Sequence, residues 1–110
     1  MDLACKCNEP PFSHFDYEIV KIGIDENYAY AEVSIKTCKK CGTKWVNYLI
    51  EQEQYTKAGR WWRAPVDVEH ANGLTALNAK EYLESLEWCF TGGSFYDGLI
   101  HKKSKPITIL

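Results

Sequence analysis

Residues 28–50 read YAYAEVSIKTCKKCGTKWVNYLI, and how this stretch is parsed decides the fold. On its N-terminal side apolar and polar residues alternate. Ala29, Ala31, Val33 and Ile35 fall on one face of an extended chain, and Tyr28, Tyr30, Glu32 and Ser34 on the other. On its C-terminal side Trp45, Asn47 and Leu49 point one way, and Val46, Tyr48 and Ile50 the other. Both faces are apolar at first, so one end of this run is expected to be covered on both sides. Between the two runs sits CKKCG, two cysteines two residues apart followed by a glycine that permits a tight turn. The stretch predicts a β-hairpin with a thiol-bearing tip.

Working outward, FDYEIVKIGI at 15–24 alternates well enough to be a strand, and DEN at 25–27 supplies the turn into the hairpin. TKAG at 56–59 turns the chain into a fourth strand, RWWRAPV at 60–66, which Pro65 is expected to end. Four strands joined by short turns make an antiparallel meander. Downstream, Asn78 and Glu81 have the spacing of a capping box, followed by Ala79, Tyr82, Leu83 and Leu86 on one helical stripe. This helix is expected to bury its stripe on a face of the sheet and to stop at TGGS, 91–94. SFY and ITIL are candidates for short C-terminal strands that extend the meander, and HANG at 70–73 reads as a loop. The expected fold class is α+β: one domain over residues 1–110, with one helix on the sheet and a metal knuckle at a hairpin tip.

A chain of 110 residues buries about two-thirds of its unfolded surface, enough for a modest core. Four Trp, seven Tyr and four Phe argue for a packed domain over a disordered one. No apolar run approaches the roughly 20 residues of a membrane span. MDLACKCNEPPF at 1–12 has neither a basic start nor a hydrophobic stretch, so the expected compartment is the reducing cytoplasm. The net charge of −2 hides a segregation. Residues 36–63 carry Lys36, Lys39, Lys40, Lys44, Lys57, Arg60 and Arg63 against Glu51 and Glu53, whereas the segments on either side are acidic. An acidic chain is a poor general binder of nucleic acid, but its basic middle keeps that class open.

Cys38 and Cys41 make one thiol pair and Cys5 and Cys7 a second. Two short thiolate pairs brought together by a fold satisfy the four-ligand tetrahedron of zinc, and nearby Lys6, Lys39, Lys40 and Lys44 favour the ionised sulfurs. Disulfides between the pairs, a redox dithiol and free thiols are the alternatives. The pattern C-x-C…C-x-x-C-G resembles a zinc ribbon over roughly the first 45 residues. CKKCG matches the ribbon knuckle, whereas CKC lacks its two-residue spacing and its glycine. The resemblance implies one structural zinc on Cys5, Cys7, Cys38 and Cys41, in a closed site with no position for substrate.

Cys89, between Trp88 and Phe90, reads as apolar filler. His14, His70 and His101 are isolated, DVEH at 67–70 reads as a solvated connection, and TGGSFYDG lacks the lysine and the strand-to-helix setting of a phosphate loop. Nothing makes a positive case for an enzyme. Trp61 and Trp62 alternate across a strand that also carries Arg60 and Arg63, with Lys44 nearby. Trp and Arg dominate binding hot spots, and they also suit single-stranded nucleic acid. The expectation is a non-enzymatic module that docks one protein partner through Trp61, Trp62, Arg60, Arg63 and Lys44. In size, acidity and lack of catalytic groups it resembles small bacterial immunity proteins. The alternative is a nucleic-acid-binding ribbon using the 36–63 strip; no membrane or small-molecule partner is expected.

Overall fold

Six strands follow one another in space in the order in which they follow in sequence. The computed structural model describes residues 5–51 and 58–109. The strands are β1 (Tyr17–Asp25), β2 (Ala31–Cys38), β3 (Lys44–Ile50), β4 (Arg60–Val66), β5 (Trp88–Gly92) and β6 (His101–Ser104), every neighbouring pair antiparallel. Two short helices, α1 (Val68–Gly73) and α2 (Ala79–Glu84), connect β4 to β5. The class is α+β, with six strands in place of four and two helices in place of one.

Several boundaries differ from expectation, each for a local reason. β2 starts at Ala31, not Tyr28, because Ala29 and Tyr30 adopt left-handed backbone angles (φ 54° and 52°) in the turn after β1. Pro65 does not end β4; it pairs with Trp45 in register. β5 pairs with β4 only from Trp61 to Arg63, so the flank where proline lacks an N–H has no neighbour to bond. Asp67 caps α1 through a hydrogen bond from the His70 N–H, which makes a helix of the stretch expected as a loop. The capping box lies three residues earlier than Asn78–Glu81. The Thr75 N–H donates to Asn78 Oδ1 and the Asn78 N–H donates to Thr75 Oγ1. α2 then ends at Glu84, and the apolar run Trp88–Gly92 is a strand. SFY is a single 3-10 turn, and Ile107 and Ile109 pack into the core outside any strand. The TKAG turn lies largely outside the described residues.

Alternation sorts the strand residues between two faces. The main core gathers Val33 and Ile35 of β2, Val46, Tyr48 and Ile50 of β3, Trp62, Ala64 and Val66 of β4, and Cys89 of β5. Ala79 and Leu83 of α2 are buried in the same cluster, as are Ile107 and Ile109. Fully burying one such large apolar side chain is worth about 1.5–3 kcal/mol. The C-terminal segment is held by the Ile109 N–H donating to the Glu84 carboxylate at 3.0 Å. A second, smaller cluster on the opposite face gathers Cys7, Tyr17, Cys38, Trp45 and Phe90, with Phe12 and Trp61 against it. The β1–β2 turn is tied to the main core by Asp25, only 2% exposed, which accepts from the Tyr48 hydroxyl at 2.6 Å and from the Asn27 N–H at 3.0 Å.

Candidate metal centre and the adjoining sheet face

Two turns bring the four sulfurs together. β2 ends at Cys38, whose N–H donates to the Thr43 carbonyl while its own carbonyl accepts from the Gly42 N–H, both at 2.9 Å. Gly42 sits at φ 77°, a conformation that favours glycine, and this closes the CKKCG turn with Cys41 facing back across it. Near the N-terminus a single 3-10 turn, Lys6–Asn8, is closed by the Asn8 N–H donating to the Cys5 carbonyl. The segment is fastened to the sheet by the Tyr17 hydroxyl, which donates to the Cys7 carbonyl at 3.3 Å. The Lys39 N–H donates to the Asp16 carbonyl at 3.0 Å, joining the hairpin tip to the start of β1.

The sulfurs of Cys5, Cys7, Cys38 and Cys41 all lie within 4.8 Å of one another, at 3.8 Å for Cys5–Cys38 and 3.5 Å for Cys7–Cys41. A disulfide needs about 2.05 Å, so these are four separate thiols. Four sulfurs at about 2.3 Å from a central zinc define a tetrahedron whose edges are about 3.8 Å. The spacing and the all-sulfur donor set fit a tetrahedral metal ion.

Protonation is uneven across the four. Cys41 is drawn down to about 6, first because the Thr43 hydroxyl, 3.1 Å away, can donate to its thiolate. Burial pushes Cys7 up to about 12, and hydrogen bonding with Cys41 adds to the rise. At Cys5 the Cys7 backbone N–H favours the thiolate, but burial and the thiols of Cys41 and Cys38 outweigh it and the net shift is upward. Cys41 therefore gives up its proton before Cys5 and Cys7 do. A divalent cation displaces the rest, as its charge replaces theirs.

The residues expected to meet a partner are divided between the two faces. Trp62 is 3% exposed in the main core, and Trp61 lies on the opposite face, half-buried beside Phe12. Arg63 is also 3% exposed, its guanidinium stacked 4.1 Å from the Phe12 ring centre, 4.8 Å from Tyr17 and 5.0 Å from Trp45. Arg60 lies 5.8 Å from the Phe95 ring at the other end of β4, and the Lys44 ammonium donates to Thr37 Oγ1 at 3.2 Å beside the cysteine tip. Lys57 and Tyr55 fall outside the described residues. The basic strip of the sequence is therefore not one continuous surface.

Elsewhere, Cys89 is fully buried and its thiol is pushed up to about 11 by that burial. His70 Nδ1 meets Asp67 at 2.8 Å on an exposed helix start, a contact that accompanies the cap of α1. No described helix is long and apolar enough to cross a membrane. Sequence reasoning counted Lys36 in the basic strip, placed Asn47 on a strand face without giving it a role, and passed over Thr43. A polar residue in the middle of an apolar strand, as in WVNYLI, was the available signal for Asn47. No protein-family model, curated protein or solved structure matches this chain.

Proposed function

We propose that this chain is a zinc-stapled, non-enzymatic binding module that docks one protein partner on the sheet face carrying Trp61. The tetrahedral spacing of the four sulfurs carries the metal half of this reading. Cys5, Cys7, Cys38 and Cys41 fill every position of a four-coordinate ion, so the metal acts as a staple and activates no substrate. Its natural setting is a reducing compartment, where thiolates persist. For docking, the supporting observation is the exposed apolar surface of β1. Ile19 and Ile24 are 46% and 45% exposed, and they lie on the Trp61 face because they pair with Lys36 and Glu32 of β2. β1 is also an edge strand, with no strand paired on its outer side among the described residues. The nucleic-acid reading is weakened by the burial of Arg63 and of Trp62, which removes both from any basic-aromatic track among the described residues.

The test isolates partners with the tagged, zinc-loaded chain and with the Ile19→Asp/Ile24→Asp variant. A protein retained in stoichiometric amount by the first and lost by the second, with nuclease having no effect, supports the reading. Nucleic acid released steeply by salt, or equal recovery on the variant, refutes it.

A further inference from the structure

A cavity of about 700 Å3 opens on the Trp61 face, between the N-terminal segment and the β5–β6 connection. Pockets that take drug-sized ligands span roughly 300–1,000 Å3. Phe12, Leu49, Trp61 and Ile100 give it apolar walls. Polar side chains from three successive strands also line it: Lys36 of β2, Asn47 of β3 and Arg63 of β4. Register explains their meeting, since Asn47 pairs directly with Arg63, and Lys36 lies two residues along from Ser34, the partner of Asn47.

Each of these three groups keeps polar capacity that no described residue meets. Asn47 is 6% exposed and its side-chain amide makes no hydrogen bond to a described residue. Nε and Nη2 of Arg63 are sealed from solvent and have no acceptor. These two atoms form one edge of the guanidinium, and the aromatic rings stacked on the group cover its faces without accepting from that edge. Lys36 is half-buried, with no carboxylate in ion-pair range among the described residues. Tyr17, and after it Cys7, answer part of the Arg63 charge. Two cations and an amide that share a cavity wall, with no carboxylate in ion-pair range among the described residues, are the complement of an anion.

Charge and shape narrow the class. Arg63 is sealed at 3% exposure and Lys36 is half-buried, so one of the two cations can be reached from the cavity. That count suits a single negative charge and disfavours a phosphate monoester, which carries about −1.5 to −2 at neutral pH. The ring of Trp61 and the side chains of Leu49 and Ile100 call for an apolar body. We propose that this cavity recognises a monocarboxylate with an aromatic or apolar body. The carboxylate accepts from the Lys36 ammonium and the Asn47 amide, Arg63 supplies fixed positive charge behind them, and the body lies against Trp61. The same group comes either from a free organic acid or from a glutamate beside an aromatic residue in a docked protein.

The test titrates the full-length, zinc-loaded chain with 3-phenylpropanoate. Binding is followed by the NMR signals of the Asn47 side-chain amide and the Trp61 indole N–H. Parallel titrations use the neutral 3-phenylpropanamide, phenyl phosphate and the capped dipeptide acetyl-Glu-Phe-amide. The expected result is saturable shifts with one or both carboxylates, the amide weaker by about tenfold or more, and the dianion weaker as well. Lys36→Gln is expected to weaken carboxylate binding about tenfold while the chain stays folded with the metal content of wild type. The tighter of the two carboxylates identifies the source. No shift at millimolar acid, equal binding of the amide, tighter binding of phenyl phosphate, or an unaltered affinity in Lys36→Gln each overturns the proposal. These titrations need no partner protein, so their outcome is independent of whether the docking reading survives.

Discussion

Removal of the metal tests how the two clusters share the stability of the domain. The proposed staple links residues 33 and 34 apart in sequence. A cross-link closing a loop of that length stabilises by about 4 kcal/mol at 25 °C through chain entropy. The main core contains none of the four ligand cysteines, whereas the second cluster contains Cys7 and Cys38 beside Tyr17, Trp45 and Phe90. A domain of this size is stable by about 5–15 kcal/mol, so chelation is expected to leave it folded with a reduced margin. With an unfolding entropy of about 2.1 cal/mol/K per residue, a loss of about 4 kcal/mol lowers Tm by about 17 °C. The assay combines metal analysis, thermal melts with and without chelator, and amide hydrogen exchange. One zinc per chain is expected, and chelation should strip protection from residues 5–12 and from the 37–44 turn. Protection in β3, β4 and α2 should persist. Loss of protection across those three elements would show that the main core does not stand alone. An unchanged Tm would show that the sulfurs clamp nothing.

The remaining predictions concern single side chains. Tyr48→Phe removes the 2.6 Å hydrogen bond to the buried Asp25 carboxylate and should cost about 1.5–3 kcal/mol in urea melts; a change near zero would mean that Asp25 finds another donor. At Gly93 (φ 116°) an added Cβ would lie 2.5 Å from the Gly59 carbonyl oxygen, so Gly93→Ala should cost at least ~1–3 kcal/mol, and a neutral result would refute the tight approach of β4 to the turn after β5. In thiol labelling at neutral pH, the zinc-loaded chain should be inert and the chelated chain should expose four thiols. Cys89 should react only after denaturation, and rapid labelling of Cys89 in the native chain would contradict its burial. The folded-state pKa of Lys36 lies below 10.5, so between that value and 10.5 the unfolded chain binds more protons and stability rises with pH. Lys36→Met should therefore be more stable than wild type at neutral pH, with the difference closing as pH climbs toward 10.5; a constant difference would place the effect in packing.

The first four strands were legible because a two-residue period and turn residues are written locally in the chain. The two cysteine pairs were legible for the same reason, each pair being a short motif. The third quarter was harder. Leu86, Trp88 and Phe90 prolong the apolar content of α2, and only pairing with β4 from Trp61 to Arg63 turns Trp88–Gly92 into a strand. β6 reads HKKS, with all four residues exposed, so it carries no hydrophobic period at all. The capping box was displaced because Thr75–Asn78 and Asn78–Glu81 both have the required spacing, and only the first forms reciprocal bonds. The cavity was out of reach for a different reason. Lys36, Asn47 and Arg63 lie on three strands and meet only through the register of two interstrand ladders, which no local pattern records.

The identity between strand order in space and strand order in sequence bears on how the chain is made. A polypeptide emerging N-terminus first can pair β1 with β2 as soon as Cys38 is free, and both thiol pairs are available once Cys41 has followed. Leu83 and the two terminal isoleucines that complete the main core arrive several seconds later, at about 5–20 residues per second. During that interval the early hairpins have no helix to shelter their apolar face. The proposed metal ion, once gripped by Cys5, Cys7, Cys38 and Cys41, would then serve biosynthesis as well as the finished domain, fastening the N-terminal segment to the β2–β3 tip until the rest of the core is delivered.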